Sequence, residues 1–197
     1  MAHVLEFSPT VAENPAYRQV RASSRGFAVL FGGLLWAFVA LAAFGVWVVL
    51  FYRGGVVSLG APGGMFSTDG HPPAGYVTFA SLSLTHRLVY ALVWIVRSGP
   101  MVLLFWNLQG LFRLYARGQV FTSRNARHLQ WVGIALLADA VLPFLCHLAL
   151  SATGYEIDRN WAHMTSVQEL LLSGLVLVIA QVMLVGREIE QDREGFV

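Results

Sequence analysis

The sequence predicts an all-α integral membrane protein with four transmembrane helices, and its apolar stretches and low charge support this class. The apolar stretches run over about residues 27–51, 88–111, 131–152 and 167–185. A helix rises about 1.5 Å per residue, so roughly 20 apolar residues span the ~30 Å hydrocarbon core of a bilayer. The chain is 56% hydrophobic and only 12% charged, whereas soluble domains are about 25% charged. We therefore predict a transmembrane bundle over 27–187, preceded by a segment, 1–26, and followed by a tail, 188–197.

Composition and motifs narrow the classes of function. The formal net charge is only +2, which gives no reason to expect direct binding of nucleic acid. Cys146 is the single cysteine, so an intrachain disulfide cannot form. The sequence contains no nucleophile elbow, phosphate-binding loop or paired-histidine zinc motif. We therefore expect a protein that is not an enzyme, with no cofactor and no bound metal.

The distribution of arginine predicts how the helices are oriented. The arginine-dense segments are the first segment, the middle connection and the tail (Arg18, Arg21, Arg25; Arg113, Arg117, Arg124, Arg127; Arg187, Arg193). The other two connections hold fewer arginines (Arg53 and Arg87; Arg159). Because basic residues are enriched in the cytoplasmic connections of membrane proteins, we predict both termini and the middle connection in the cytoplasm.

The longest connection, residues 52–87, joins the first two apolar stretches and is rich in glycine and proline. Two pieces within it, 56–59 and 76–84, alternate apolar and polar residues, which predicts a small hairpin. Loops longer than about 12–15 residues are commonly functional or mobile. A functional outer loop and a flexible outer cap remain alternatives.

The middle connection, residues 114–127, has the signals of a rigid turn. Gly118 fits the left-handed position that follows many helix ends. Thr122 or Ser123 can cap the amide groups that open the next helix, and the apolar pair 120–121 is expected to fill the turn against the bundle. The residues singled out in this turn are Tyr115, Arg117, Gly118, Phe121, Thr122, Arg124, Asn125 and Arg127.

Two motifs, together with the four apolar stretches, resemble a known family. The motifs are Tyr115-x2-Gly118-x-Val120-Phe121-Thr122-x2-Asn125 in the turn and Gly186-Arg187-Glu188-x3-Asp192-x-Glu194-Gly195-x-Val197 at the end. They resemble the YoaS-like bacterial family, domain of unknown function number twenty-nine seventy-five, over about residues 27–197. The resemblance implies a small four-helix protein of the bacterial cytoplasmic (inner) membrane, often encoded beside a small helix-turn-helix regulator. It implies a cytosolic DNA-binding partner and assigns no activity and no catalytic residues.

Ionisable residues at membrane depth are costly and therefore mark candidate functional sites. Arg97 lies in the middle part of the second apolar stretch, and Asp139 lies in the third. Because these helices run antiparallel, both side chains fall at a similar depth, and we predict that they pair. Asn107, Gln109 or Gln181 is expected to assist them. An ion pair that fixes helix register, a proton- or ligand-sensitive switch, and a misjudged depth in which one charge faces a water-filled crevice remain alternatives.

Prolines are expected to shape the same region. Pro100 and Pro143 predict kinks in the second and third helices, since proline removes a backbone donor and clashes with the preceding turn. Pro143 shares a helix face with Asp139, Cys146 and His147. A thiol and an imidazole on that face form a candidate ligand site near the outer side, although their spacing matches no metal motif.

Three functional hypotheses follow. The first is a non-catalytic regulatory or sensory membrane protein whose cytoplasmic turn and acidic tail bind a small helix-turn-helix regulator. The second is a small transporter, or a redox or ligand-binding bundle, that uses Arg97 and Asp139. The third is a structural or assembly factor. Membrane lipid is an expected partner because arginines at the bilayer surface attract anionic headgroups, and the sequence leaves homo-oligomerisation open.

Overall fold

The computed structural model describes residues 15–60, 63–66, 76–119, 122–155 and 164–194, which form four long helices and a small sheet. The helices are α1 (Pro15–Phe51), α2 (Leu84–Ala116), α3 (Ser123–Thr153) and α4 (Met164–Glu194). Between α1 and α2 lie β1 (Val57–Gly60), β2 (Gly63–Phe66), β3 (Val77–Thr78) and a 3₁₀ turn (Phe79–Ser81). All four helices are long and apolar enough to span a membrane, which confirms the predicted four-helix membrane class.

Each helix extends beyond the apolar stretch that predicted it. Helix α1 begins at Pro15, so residues 15–26 continue the first spanning helix. Helix α4 continues to Glu194 and includes most of the tail. Pro100 and Pro143 lie inside α2 and α3, and both helices are continuous across them. Bending at these prolines stays a prediction.

The helices pack in chain order. Helix α1 packs on α2, α2 on α3 and α3 on α4, while the remaining helix pairs have little contact within the described residues. Large apolar side chains cover the outward faces, including Val29, Trp36 and Leu171, which are 76%, 72% and 71% exposed. Apolar patches of this extent mark a membrane or protein contact. They fit helices whose outward faces contact lipid.

Aromatic rings and a glycine hold α1 against α2. The ring centroids of Phe27 and Phe112 are 5.1 Å apart. Gly45 leaves room for the indole of Trp94, which a Cβ at that position would meet. The Trp94 indole N–H in turn donates to the backbone carbonyl of Ala42 at 3.1 Å. Small residues allow this close approach of helices in a membrane.

A buried polar contact joins α2 to α3. Asn107 donates from Nδ2 to a carbonyl of its own helix at 2.8 Å, and its Oδ1 lies 3.0 Å from Nδ1 of His128. Gln109 lies against Gly32 of α1. These two amides therefore contact α3 and α1, and their assistance to Arg97 stays a prediction.

Helix α4 is attached to α3 by a second buried contact. The Ser173 hydroxyl, only 1% exposed, donates to the backbone carbonyl of Gly133 at 2.8 Å. Leu177, one turn further along α4, packs directly on Gly133. An interhelical hydrogen bond over a glycine is a common way to join helices where lipid removes the hydrophobic driving force.

The connection between α1 and α2 contains a three-stranded antiparallel sheet in the order β2-β1-β3. Strand β1 pairs with β3, with Ser58 opposite Thr78, so the two predicted pieces do pair. The strand adjacent in sequence, β2, pairs with the other edge of β1, and this strand was not predicted. Residues 79–84 do not continue β3. They turn into the 3₁₀ helix and then into α2, because Ser83 caps α2 by accepting from the His86 N–H at 3.3 Å.

A buried arginine on α2 forms hydrogen bonds to the α1–α2 connection and to the end of α1. Arg87 is only 4% exposed. Its guanidinium donates to the backbone carbonyls of Leu82 at 3.1 Å, Ala80 at 3.2 Å and Leu50 at 3.5 Å. Phe79, also buried, packs beside the last turn of α1. We call this end of the molecule, with the sheet and Arg87, the sheet end.

Candidate functional site

The turn between α2 and α3 is a complete helix-capping unit. Gly118 has φ +80°, in the left-handed region that its position predicted. Its N–H donates to the carbonyl of Tyr115 at 2.9 Å, and the Gln119 N–H donates to that of Leu114 at 3.0 Å. These two bonds form a Schellman motif, which satisfies carbonyls that the end of a helix leaves unpaired. The end of α2 is therefore fixed.

The start of α3 is fixed equally well. Thr122, rather than Ser123, is the cap, and its hydroxyl accepts from the Asn125 N–H at 3.3 Å. The Asn125 side chain is fully buried and donates from Nδ2 to the carbonyl of Gln119 at 2.6 Å. Asn125 thus links the first turn of α3 to the residue that follows the α2 cap. Val120 and Phe121, which were expected to fill the turn, lie outside the described residues.

The first turns of α1 join the same unit. The Arg21 guanidinium lies on Gly118, where a Cβ would meet its terminal nitrogen atoms. A glycine at this position therefore serves two purposes, since it permits the positive φ and provides space for Arg21. The contact ties the α1 extension to the α2–α3 turn.

Seven exposed arginines surround this unit, and we call the surface that they form the arginine-rich end (Arg18, Arg21, Arg25, Arg113, Arg117, Arg124, Arg127). No acidic side chain lies among the described side chains of this end. Helices α1 and α3 both begin here without an acidic residue in the first turn. Because a helix N-terminus has a partial positive charge, arginine beside it is electrostatically unfavourable. The described side chains of this end are therefore positively charged, which suits an anionic partner.

The ionisable residues at membrane depth form a second candidate. Arg97 is exposed and Asp139 is half-buried, and the two are close enough for their charges to interact. No hydrogen bond joins them within the described part of the chain. Direct pairing therefore stays a prediction. Gln181, the third residue expected to assist, is exposed on α4.

The structure adds a third charge to this region. Glu169 of α4 lies close enough to Asp139 for the two carboxyl groups to interact. The contact of Ser173 with Gly133 sets the α3–α4 register independently and brings Glu169 to the level of Asp139. The sequence places Glu169 on α4. Its depth relative to Asp139, however, depends on how α3 and α4 are aligned. The region thus contains one arginine and two carboxyl groups from three helices.

The candidate ligand site at Cys146 and His147 lies beside the same charges. Both side chains are half-buried on α3, and Arg97 lies near the Cys146 thiol. No group of three or more potential metal ligands occurs among the residues that the structure describes. A ligand site at this pair stays a prediction.

The fold and the capped turn define a class of protein, a multi-pass membrane protein with four candidate spanning helices. Within that class the chain belongs to the family described as Protein of unknown function (DUF2975), which it matches over residues 9–194. This is the family that the turn and tail motifs predicted. No curated protein and no solved structure matches the chain.

Proposed function

We propose that the chain is a non-catalytic regulatory protein of the bacterial inner membrane whose arginine-rich end binds a small cytosolic helix-turn-helix regulator. In this proposal both termini and the α2–α3 turn face the cytoplasm. The observation that supports it most is the set of exposed arginines held around a rigid, capped turn with no described acidic neighbour. The nature of the partner rests on the family resemblance, and the positive surface suits an acidic face on that partner.

Rigidity distinguishes a docking surface from a simple contact with lipid headgroups. Headgroups are mobile and adapt to any arginine near the surface, so they require no fixed scaffold. Here the capping bonds of Gly118 and Asn125 fix the backbone on both sides of Arg117 and Arg124. Preorganisation of this kind lowers the cost of binding a protein surface. A change of a few kcal/mol in relative affinity between two bundle states would hold or release the regulator.

Changing Arg117, Arg124 and Arg127 together to glutamine should release the partner while the protein stays in the membrane. All three side chains are exposed, so the change removes positive charge without removing buried contacts. Each charged contact at an interface rim contributes on the order of 0.5–1 kcal/mol, so the triple change should weaken binding by about tenfold to a hundredfold. The protein is affinity-purified in mild detergent, and mass spectrometry measures the amount of recovered partner relative to the protein itself.

The matched control is Arg53→Gln, since Arg53 is also exposed but lies after α1 at the sheet end. Its partner ratio should equal that of the unchanged protein. If the triple variant retains the partner fully, the docking surface lies elsewhere. If no DNA-binding protein is recovered even with the unchanged chain, the regulator proposal is wrong.

A second candidate function, a small carrier or ligand-binding bundle, is favoured by one specific observation. Glu169 joins Asp139 and Arg97, so the region at membrane depth has more carboxyl groups than arginines. Intramembrane charges of this kind commonly line ion or proton pathways. Transport along this path would require the carboxyl groups to change their charge or partner during each cycle.

Exchanging the two charges tests this candidate. Arg97→Ala and Asp139→Ala should each lower the stability of the bundle by about 1 kcal/mol, the scale of polar contacts between membrane helices. The exchanged double variant, Arg97→Asp with Asp139→Arg, should recover most of that loss in a thermal unfolding assay. A double variant that is folded but no longer binds the partner or takes up ions in proteoliposomes would show that the pair is more than structural.

A further inference from the structure

A groove opens between α1 and α2 at the arginine-rich end. It is lined by two turns of α1 and the last turns of α2 (Gln19, Val20, Ser23, Ser24, Phe27, Phe112, Tyr115), is open to the surface and has a volume of about 490 Å³. None of the seven arginines of the arginine-rich end is among its lining residues. The groove is therefore a separate feature of the same end.

The groove is apolar at one end and polar at the other. Phe27 and Phe112 form an aromatic wall at the end nearer the middle of the bundle, with ring centroids 5.1 Å apart. Gln19 lies eight residues before Phe27 on the same helix, which places it about 12 Å nearer the helix start. Ser23 and Tyr115 lie beside this polar half. The lining therefore changes from apolar to polar towards the start of α1. A phospholipid changes in the same way from its acyl chains to its headgroup.

One lining residue, Ser24, has a hydroxyl that can bind a ligand in the groove. Ser24 is only 4% exposed, and its hydroxyl makes no hydrogen bond within the described part of the chain. Serine in a helix usually bonds to a carbonyl of the preceding turn, and without that bond the Ser24 hydroxyl keeps its donor for another acceptor. Because Ser24 lines the groove, a ligand there can accept a hydrogen bond from its hydroxyl.

The charge around the groove selects an anionic ligand. Arg21 lies on Gly118, three residues beyond Tyr115, which brings a guanidinium close to the polar half of the groove. No described acidic side chain lies at this end. Basic pockets between membrane helices are typical sites for anionic lipid headgroups, and hydrogen bonds to a charged phosphate are stronger than those between neutral groups.

We propose that this groove binds an anionic phospholipid. Ser24, with the hydroxyls of Ser23 and Tyr115, donates to the phosphate oxygen atoms, and Arg21 balances their charge. Phe27 and Phe112 contact the glycerol and the first carbons of the acyl chains. The proposal concerns the lipid that the protein retains, and it shares only Arg21 with the arginine-rich end proposed to bind the regulator.

The test uses the full-length protein in nanodiscs that contain phosphatidylglycerol, phosphatidylcholine or a mixture, with retained lipid counted by native mass spectrometry. Ser24→Leu fills the groove, and Ser24→Ala removes only the hydroxyl. A hydrogen bond to a charged group contributes about 1.5 kcal/mol, so Ser24→Ala should weaken retention of phosphatidylglycerol by about tenfold. Ser24→Leu should weaken it at least as much. The matched control is Ser123→Leu, the same change at an exposed serine of the same end that does not line the groove.

Loss of phosphatidylglycerol in both Ser24 variants but not in the Ser123 variant would establish the site. Retention that is unchanged in the Ser24 variants would overturn it. Equal retention of phosphatidylcholine by the unchanged protein would overturn the selectivity for anionic lipid. Displacement of the lipid by millimolar inorganic phosphate would instead assign the groove to a free anion. Melting curves of each variant separate lost binding from lost folding.

Discussion

Replacing Arg87 with methionine is expected to lower the free energy of unfolding by about 3 kcal/mol, because several carbonyl groups lose their hydrogen-bond donor at once. The Arg87 guanidinium is buried and bonds to Leu82, Ala80 and Leu50. Leu50 belongs to the last turn of α1, where the helix dipole favours a positive charge. Methionine fills a similar volume but offers no donor. Unfolding in mixed micelles, followed by circular dichroism, measures the loss.

Arg53→Met provides the comparison for this change. Arg53 also donates to the carbonyl of Leu50, at 3.4 Å, but it is exposed. Its replacement should change stability by no more than about 0.5 kcal/mol. Limited proteolysis adds a local readout, since the sheet end should become susceptible to cleavage in the Arg87 variant alone. Equal and small effects of both substitutions would show that Arg87 does not hold the sheet end together.

Gly133→Val is expected to separate α4 from α3 and to cost about 1–3 kcal/mol, as overpacking of a helix interface does. A Cβ at Gly133 would lie 2.6 Å from Cγ of Leu177, so the helices must move apart. That movement also breaks the buried bond from Ser173 to the Gly133 carbonyl. Since α4 packs mainly on α3 among the described helices, its other contacts compensate little. Thermal unfolding and protease protection of α4 measure the effect.

Gly174→Val is a matched control on the facing helix. A Cβ at Gly174 meets nothing within 4 Å, so valine there should be tolerated in lipid. A stability loss at Gly174 equal to that at Gly133 would mean that glycine matters here through the backbone, and the packing argument would fail. An unaffected Gly133 variant would show that Leu177 can move aside at no cost.

Local signals in the sequence were sufficient to predict the four membrane-spanning helices. They also predicted where α2 ends and where α3 begins. The length of each apolar stretch is itself the physical requirement for crossing a bilayer, so four helices followed directly. Gly118 and Thr122 were predictable for the same reason, because helix caps depend on residues within one turn of each other. The family could be predicted from the same turn together with the end of the chain.

The tertiary structure decided everything that depends on residues from different helices. Arg87 appeared in the sequence only as a charge beside a loop, and its role depends on carbonyls of α1 and of the 3₁₀ turn. The contact of Asn107 with His128 and the level of Glu169 depend on helix register, which apolar patterning leaves free because lipid accepts many rotations of a helix. Close packing at individual glycines sets that register. The groove at Ser24 exists only because α1 and α2 meet at their arginine-rich ends, which no local pattern determines.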